Sequence, residues 1–442
     1  MKVSVLIVSW NGRQHLEACL PALEDQDDPG VEWEILVLDN GSSDGTCRWL
    51  RREHPRVRLI ESPVNLGFCR GNERLVEEAR GEWLALLNND TRPEPGWLRA
   101  LVEALEGSPP DVAAVSGKIV DWEAELLDFG RGVMTFDGHA FQLDFRRPLA
   151  EARVPEEGEE LLFACGGNLM IRKGSFLDAG GFDEDYFAYL EDVDLGWRLW
   201  AGGERIVHAP RAVVRHRSGA TSDLLGVFHR GFLFERNAWL TAYKNYDDAH
   251  WRRLMPVVEL AFLSRTRSLL VENNPGGETF RVDPYAGLVA DTGSRSASAE
   301  PPLEPLDGPI TPGRVVTRWR ELGTRELLRR VARRLGISRP KRRSPQGHPE
   351  PVPTITDPRT VAQVRSLSWL LDHVDGAAEK RAAVQARRVR PDAEIFERVP
   401  LYVVPTYPGD EALFGSDGFR AWWPEGVPVV RSALADVMAV DS

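Results

Sequence analysis

The first 245 or so residues of this 442-residue chain predict an α/β domain, a parallel sheet with helices on both faces. Two observations carry that reading. Continuous apolar runs, the mark of strands covered on both faces, alternate with stretches whose apolar residues repeat every 3.6 positions. Alternation of that kind builds a parallel sheet. Polar clusters then close three of the runs, at Ser9-Trp10-Asn11, Asp39-Asn40 and Asn88-Asn89-Asp90. In such sheets ligands bind outside the carboxyl ends of the strands, so the three clusters predict one site.

Residues 3–9 are the first apolar run. Leu16, Cys19, Leu20 and Leu23 follow at i, i+3, i+4 and i+7, which predicts an amphipathic helix. Residues 33–39 make a second buried strand and 57–60 a third; 72–79 are helical and 82–87 form a fourth strand. An apolar stretch at 161–171 and a Gly180-Gly181 turn come next, then a helix over 191–200. Two short β-type runs at 205–208 and 212–216 and a helix over 227–243 close the domain. Beyond it, 246–290 read as a helical extension and 291–312, rich in Ser and Pro, as a linker. Residues 313–337 form a basic helical segment, and 338–358, with six prolines, form a second linker. Residues 359–442 read as a small α/β region, helical over 359–390 with a β-like run at 401–404. No internal repeat is present.

Apolar and charged fractions of 42% and 28% are those of a soluble globular protein. A net charge of −12 speaks against nucleic acid as a partner of the whole protein. The charge is uneven: residues 312–344 hold twelve Arg or Lys against two acids, Glu321 and Glu326. Such a segment either lies on an anionic membrane surface or packs on its own acidic domain. Packing is favoured, because Gly323 interrupts the apolar stripe and arginine is spread around it. The four cysteines form no C-x-x-C pair, so neither a zinc ribbon nor a redox motif is supported. Three of them lie in apolar or motif-rich stretches and read as small buried residues in a reducing compartment. The start is too short for a signal sequence, and no run of about 18 uncharged apolar residues occurs. The chain therefore reads as cytoplasmic, with the basic segment suited to peripheral contact with the inner face of the cell membrane.

Several side chains can carry chemistry. Asp39, at a strand end, is placed to accept a hydrogen bond from a nucleobase or a ribose hydroxyl; the competing reading is a loop cap. Asp90 ends a wholly apolar strand and can bind a divalent cation through oxygen, magnesium or manganese being the natural choice. Glu191 and Asp192 open a helix, where carboxylates are favoured by the helix dipole alone. They can also serve as a general base for an acceptor hydroxyl. His216 closes an apolar run and can complete a metal site begun by Asp90. Gly67 and Gly71 permit close backbone approach before a helix, and Arg70 between them can face a phosphate. The pattern is not G-x-G-x-x-G, which argues against a dinucleotide cofactor.

Taken together, six segments resemble family 2 glycosyltransferases, whose fold is the nucleotide-binding α/β domain called GT-A. They are 3–12 (VSVLIVSWNG), 36–46 (LVLDNGSSDGT), 65–72 (NLGFCRGN), 86–93 (LLNNDTRP), 180–200 (GGFDEDYFAYLEDVDLGWRLW) and 213–221 (VVRHRSGAT). The subgroup they look most like is the rhamnosyltransferase-like enzymes of bacterial cell-surface polysaccharide assembly. The resemblance covers residues up to about 245 and implies a mixed, mainly parallel sheet there; the C-terminal region beyond it reads as mostly helical from its own pattern. The resemblance also implies nucleotide contacts by Ser9, Trp10, Asn11, Asp39, Gly67, Arg70, Asn88 and Asn89, and metal ligation by Asp90 and His216. Asn88 stands where the family's D-x-D motif begins with an acid, so Asp90 must carry that role. Asp192 would be the base with Glu191 beside it, and Trp197 would lie near the acceptor.

The function so implied is inverting transfer of a sugar from a UDP- or dTDP-sugar to a glycan or lipid-linked glycan, with Mg2+ or Mn2+ as cofactor. A sugar nucleotidyltransferase and a non-catalytic nucleotide- or sugar-binding protein are the alternatives. The first should show a glycine-rich basic loop after strand one, which Ser9-Trp10-Asn11-Gly12 does not supply. The joint presence of Asp39, Asp90, Asp192 and His216 speaks against the second. Residues 121–160, with Phe129-Gly130 and Gly138-His139, are expected to help shape the acceptor site.

Overall fold

The computed structural model describes residues 1–217, 222–281, 354–407 and 409–439, the side chains of 222–228 excepted. Residues Met1–Pro275 and Ile355–Ser442 form one compact unit, and Gly276–Thr354 form a second. Of the second unit, the described part is residues 276–281, which hold a short 3-10 turn (Gly277–Arg281), and Thr354. The linker at 291–312, the basic segment at 313–337 and residues 338–353 of the Pro-rich linker lie outside the described residues.

Strands β1 (Lys2–Ser9), β2 (Glu32–Asn40), β3 (Arg58–Ser62) and β4 (Trp83–Leu87) run parallel in the order β4-β1-β2-β3. Val3, Val5, Ile7, Leu36, Val37 and Leu38 are fully buried, as a sheet covered on both faces requires. The crossovers are α1 (Arg13–Glu24), α2 (Thr46–Glu53) and α3 (Gly67–Glu78). The helix α2 has no counterpart in the sequence reading; it buries only Thr46, Trp49 and Leu50 among arginines, too little for a clear period. Helix α3 starts at Gly67, ahead of the expected Asn72. Side chains order its entry: Asn40 Oδ1 accepts from Leu66 N (2.8 Å) and Asn65 Oδ1 from Gly67 N (2.9 Å).

Beyond β4 come β5 (Thr91–Pro93), α4 (Trp97–Glu106), β6 (Val112–Asp121), β7 (Leu127–Phe129) and the hairpin β8 (Arg131–Met134) with β9 (Ala140–Leu143). After these, β10 (Glu160–Leu161), β11 (Asn168–Arg172), α5 (Lys173–Asp178), α6 (Glu191–Ala201) and β12 (Arg205–His216) complete the sheet. Its order is β10-β12-β6-β11-β4-β1-β2-β3, with β5 on β12 and β7 on β6. The longest pairings, β1 with β2 and β6 with β12, are parallel, while β11 runs antiparallel to both its neighbours. The sheet is therefore mixed and mainly parallel. The two runs expected at 205–208 and 212–216 are one strand, interrupted by an irregularity between Ala209 and Val213.

Helices α7 (Ser222–Asn245) and α8 (Asp248–Glu272) follow, α8 capped by Asp247, whose carboxylate accepts from His250 N at 2.7 Å. The C-terminal part is mostly helical: α9 (Pro358–Asp372), α10 (Val374–Arg387), α11 (Asp392–Arg398), α12 (Asp410–Phe414), α13 (Asp417–Trp422) and α14 (Leu434–Val437), with a parallel pair β13 (Leu401–Val403) and β14 (Val429–Arg431). These elements pack into the first 275 residues instead of standing apart from them. Asp392 accepts from Trp197 Nε1 (3.0 Å) and Asp247 N (2.6 Å). Arg265, buried in α8, bridges Asp137 (2.6 Å) and Asp410 (2.8 Å). Where the unit leaves and re-enters the chain, Asn274 Oδ1 accepts from Thr356 N (2.8 Å) and Asp357 N (3.0 Å). Among the described residues no helix is long and apolar enough to cross a membrane.

Candidate active site

The carboxyl ends of β1, β2, β4 and β12 open onto a cavity of about 720 Å³. Its wall includes Trp10, Asn40, Asn65, Gly67, Asn88, Asn89, Asp90, Glu191, Asp192 and His216. Residues from six separate segments thus converge on one edge of the sheet.

One end of this wall is a histidine between two carboxylates. His216, the last residue of β12, brings Nε2 to 3.3 Å from Asp90 Oδ1 and Nδ1 to 2.9 Å from Asp128 Oδ2. Burial works against a charge on His216, but the two acids outweigh it and raise its pKa to about 10. Burial likewise pushes Asp90 up, and the His216 hydrogen bond and charge more than offset it, leaving Asp90 lowered. The donor set fits a divalent cation: a carboxylate and an imidazole facing one cavity, with the second ring nitrogen held by an outer carboxylate that turns Nε2 inward. A bound cation would take the place of the Nε2 proton. Asp128 was not read from the sequence. The one signal for it was an acid inside the apolar run Leu126-Leu127-Asp128-Phe129.

Glu191 and Asp192 occupy the first turn of α6, at the cavity wall. Asp192 Oδ2 accepts from Gly166 N (3.2 Å) and Oδ1 from Val193 N (2.8 Å). Burial raises both carboxyls, and the charge of Asp192 raises Glu191 further. Glu191 therefore holds the proton and Asp192 the charge; Glu191 Oε2 is buried with no hydrogen-bond partner among the described residues.

The loop that delivers this pair is strained. Phe187, Tyr189 and Leu190 have φ of 62°, 71° and 64°, the left-handed region that bulky residues avoid. Asn237 of α7, fully buried, holds it by donating from Nδ2 to the carbonyls of Tyr189 (2.7 Å), Ala188 (2.9 Å) and Tyr186 (3.2 Å). Arg236 adds a bond to the Tyr186 carbonyl (3.0 Å), and Phe187 O accepts from Phe68 N (2.8 Å) at the start of α3. Gly67 is required there: its φ is +79°, and a Cβ would sit 2.5 Å from the Phe187 ring.

The structure separates the residues expected to contact a nucleotide. Trp10, Gly67, Asn88 and Asn89 lie on the wall. Ser9 lies behind it, its Oγ accepting from Asn89 Nδ2 at 2.9 Å. Asn11, with φ 49°, orders the neighbouring turn by accepting from Ser43 N (2.8 Å). Asp39 is buried beneath this turn; Oδ2 accepts from Ser42 N (3.2 Å) and Oδ1 has no hydrogen-bond partner among the described residues. The wall beside it is made by Asn40 and Asn65, which the sequence reading did not assign to the site. Arg70 does not line the cavity and pairs with Glu184 at 2.8 Å, both half exposed.

Trp197, expected at the acceptor, is a correction. It is 0% exposed, packed against Tyr246 and Phe396 and bonded to Asp392, so no acceptor can reach it. The segment 121–160 does reach the cavity, through Asp128, Phe129, Ala140, Phe141, Gln142, Phe145 and Arg146. One further carboxylate–histidine trio, Asp247, His250 and Asp392, is close enough for an ion. Its oxygens already accept from His250, Trp197, Arg388 and the Asp247 and Asp392 amides, which explains it as structural.

The chain is similar to several known proteins. The family described as Glycosyl transferase family 2 matches residues 4–179. The chain is 31% identical over 235 residues to N-acetylglucosaminyl-diphospho-decaprenol L-rhamnosyltransferase of Mycobacterium tuberculosis, covering 48% of this chain and 75% of that protein. It is 26% identical over 230 residues to glucosyl-dolichyl phosphate glucuronosyltransferase of Haloferax volcanii, covering 49% of this chain and 69% of that protein. Among solved structures, the mannosyltransferase PcManGT from Pyrobaculum calidifontis, in complex with GDP-Man and Mn2+, aligns over 84% of this chain and 86% of its own at 14% identity and a TM-score of 0.42.

Proposed function

This chain is a member of glycosyltransferase family 2 with the GT-A fold, and from that premise we propose that it transfers a sugar from a UDP- or dTDP-sugar to an acceptor hydroxyl with inversion. The observation that carries the reading is that Asp192, charged and held by two backbone amides, faces the same cavity as Asp90 and His216. Asp192 removes the proton from the acceptor hydroxyl. The freed oxygen attacks the anomeric carbon from the face opposite the diphosphate, and the bond to the diphosphate breaks in the same displacement. Glu191, protonated, adds no competing charge beside the base. A divalent cation held by Asp90 and His216 would neutralise charge on the departing diphosphate.

Two features support a lipid-linked glycan as acceptor in cell-surface polysaccharide or glycolipid assembly. The cavity is lined by the aromatic rings of Phe141, Phe145, Tyr189 and Phe234, and the two relatives described above are named for lipid-carrier substrates. The first of these also supports rhamnose as the transferred sugar.

The test is hydrolysis of a panel of UDP-, dTDP- and GDP-sugars with and without manganese, comparing the wild type with Asp192→Asn and Asp90→Ala. Metal-dependent release from one nucleotide-sugar, lost in both variants, is expected and names the donor. If no nucleotide binds at all, the catalytic reading gives way to a non-catalytic one.

A further inference from the structure

The cavity has a second charged region that the reaction above does not use. Phe145 and Arg146 enter its wall from the turn that follows β9. Asp144 and Arg146 have φ of 59° and 63°, so this turn too sits in the left-handed region. Something must hold it there, and the structure shows what. The fully buried Asp144 carboxylate accepts from Arg153 Nε and N (2.7 and 2.8 Å) and pairs with Arg147 (2.7 Å). Arg146 N donates to Leu127 O (2.8 Å), and Ala439 N donates to Phe145 O (3.0 Å). Arg147 and Arg153 also donate to the carbonyls of Ala435 and Asp436. The C-terminal segment around α14 therefore fixes the turn in place.

The three arginines of this region have different fates. Arg147 and Arg153 are paired with Asp144. Arg146 has no carboxylate within ion-pair distance among the described residues, and its guanidinium lies over the Phe145 ring at 5.6 Å. A guanidinium held on a cavity wall by a strained turn, with no anion of its own, is built to receive one; its fork of donors matches phosphate oxygens in particular. Arg230 of α7 lines the same cavity.

The sheet order indicates which anion. Trp10, Asn40 and Asn65 stand at the β1–β2 side, where the nucleotide is expected. Arg146 is tied through Leu127 to β7, which pairs with β6 on the other side of β4. We infer that Arg146 is the core of an acceptor subsite for a phosphate ester, so that the acceptor sugar is presented to Asp192 by its phosphate. This rests on reading the cavity as a sugar-transfer site.

The probe is geranyl diphosphate, with geraniol as its neutral counterpart, titrated calorimetrically into the full chain saturated with manganese and the preferred nucleoside diphosphate. The wild type should bind the diphosphate at least tenfold more tightly than the alcohol. Arg146→Gln should lose most of that preference, and Arg146→Lys, which keeps the charge but not the fork, should recover part of it. Nucleoside diphosphate affinity should stay within about twofold of wild type in both, and melting curves report whether each variant is folded. Equal binding of diphosphate and alcohol by the wild type, no detectable binding of either, or full preference in Arg146→Gln overturns the inference. A parallel loss of nucleoside diphosphate affinity also overturns it, since Arg146 would then serve the leaving group. Failure of the transfer reading itself shows separately, as absence of nucleotide-sugar hydrolysis by the wild type.

Discussion

Replacing Asn237 by alanine should disable the site without touching any residue on the cavity wall. The side-chain amide donates to three loop carbonyls, of which Tyr186 O keeps a second donor in Arg236. Ala188 O and Tyr189 O would lose this donor. A hydrogen bond is worth about 0.5–1.5 kcal/mol net, so the two together are worth about 1–3 kcal/mol. The positive φ of Phe187, Tyr189 and Leu190 gives the loop a relaxed alternative that this loss favours. A shift of about 1–3 kcal/mol lowers the ratio of held to relaxed loop by roughly 5- to 150-fold, since 1.4 kcal/mol is about tenfold. Turnover of the preferred nucleotide-sugar should fall by about that factor, while nucleotide affinity, set at the Trp10–Asn40 end, should change by less than about threefold. Circular dichroism and a melting curve establish that the variant is folded at the assay temperature. Turnover within about threefold of wild type in a folded Asn237→Ala protein would refute the clamp.

His139, in the turn between β8 and β9, forms a buried network with Asp137 (3.2 Å) and Glu235 of α7 (3.4 Å). Burial opposes a charge on His139, but Asp137 and Glu235 outweigh it and hold its pKa at about 9, above the ordinary 6.5. Its stabilisation is therefore complete below pH 6.5 and disappears as pH rises through 9; the melting temperature should fall across that window, and His139→Gln should flatten the decline. An identical slope in the two proteins would count against the network. Asp128→Asn should weaken manganese binding by about 10- to 100-fold, measured by titration calorimetry, because the carboxylate orients His216 through Nδ1; unchanged affinity would make Asp128 a bystander. Because burial raises Asp192 above the ordinary carboxylate value of 3.8, activity should fall on acidification at a higher pH than a free aspartate would give. An acid limb lying below pH 4 would remove Asp192 as the base.

What the sequence made legible depended on how local each signal was. The strands β1 to β4 carry their burial in their own apolar runs, and the polar residues at their ends needed only the rule that ligands gather there. Asp128 carried no comparable signal, because its role exists only where β7 pairs with β6 beside the end of β12, a contact between distant parts of the chain. The same holds for Asn237, whose partners lie about 50 residues earlier on a loop whose backbone angles no pattern announces. Trp197 was misread for a reason the helix itself supplies. Five residues along α6 from Asp192 is a rotation of about 140° at 3.6 residues per turn, so the two side chains cannot share a face. The expected separateness of residues 359–442 reflected the composition of the segments before them. It said nothing of Asp392, Asp410 or the α14 segment, which complete buried networks begun in the first 275 residues.

The bonds from Thr356 and Asp357 to Asn274 have a consequence for how the chain can change over time. They hold the two cut ends of the catalytic unit side by side, so residues 276–354 are a closed detour. Closing a detour grows costlier only with the logarithm of its length, by about 0.6 kcal/mol per doubling. Closure alone therefore sets little limit on the length of what is inserted at this point, and the fold of the catalytic unit can be kept while the inserted chain lengthens or shortens.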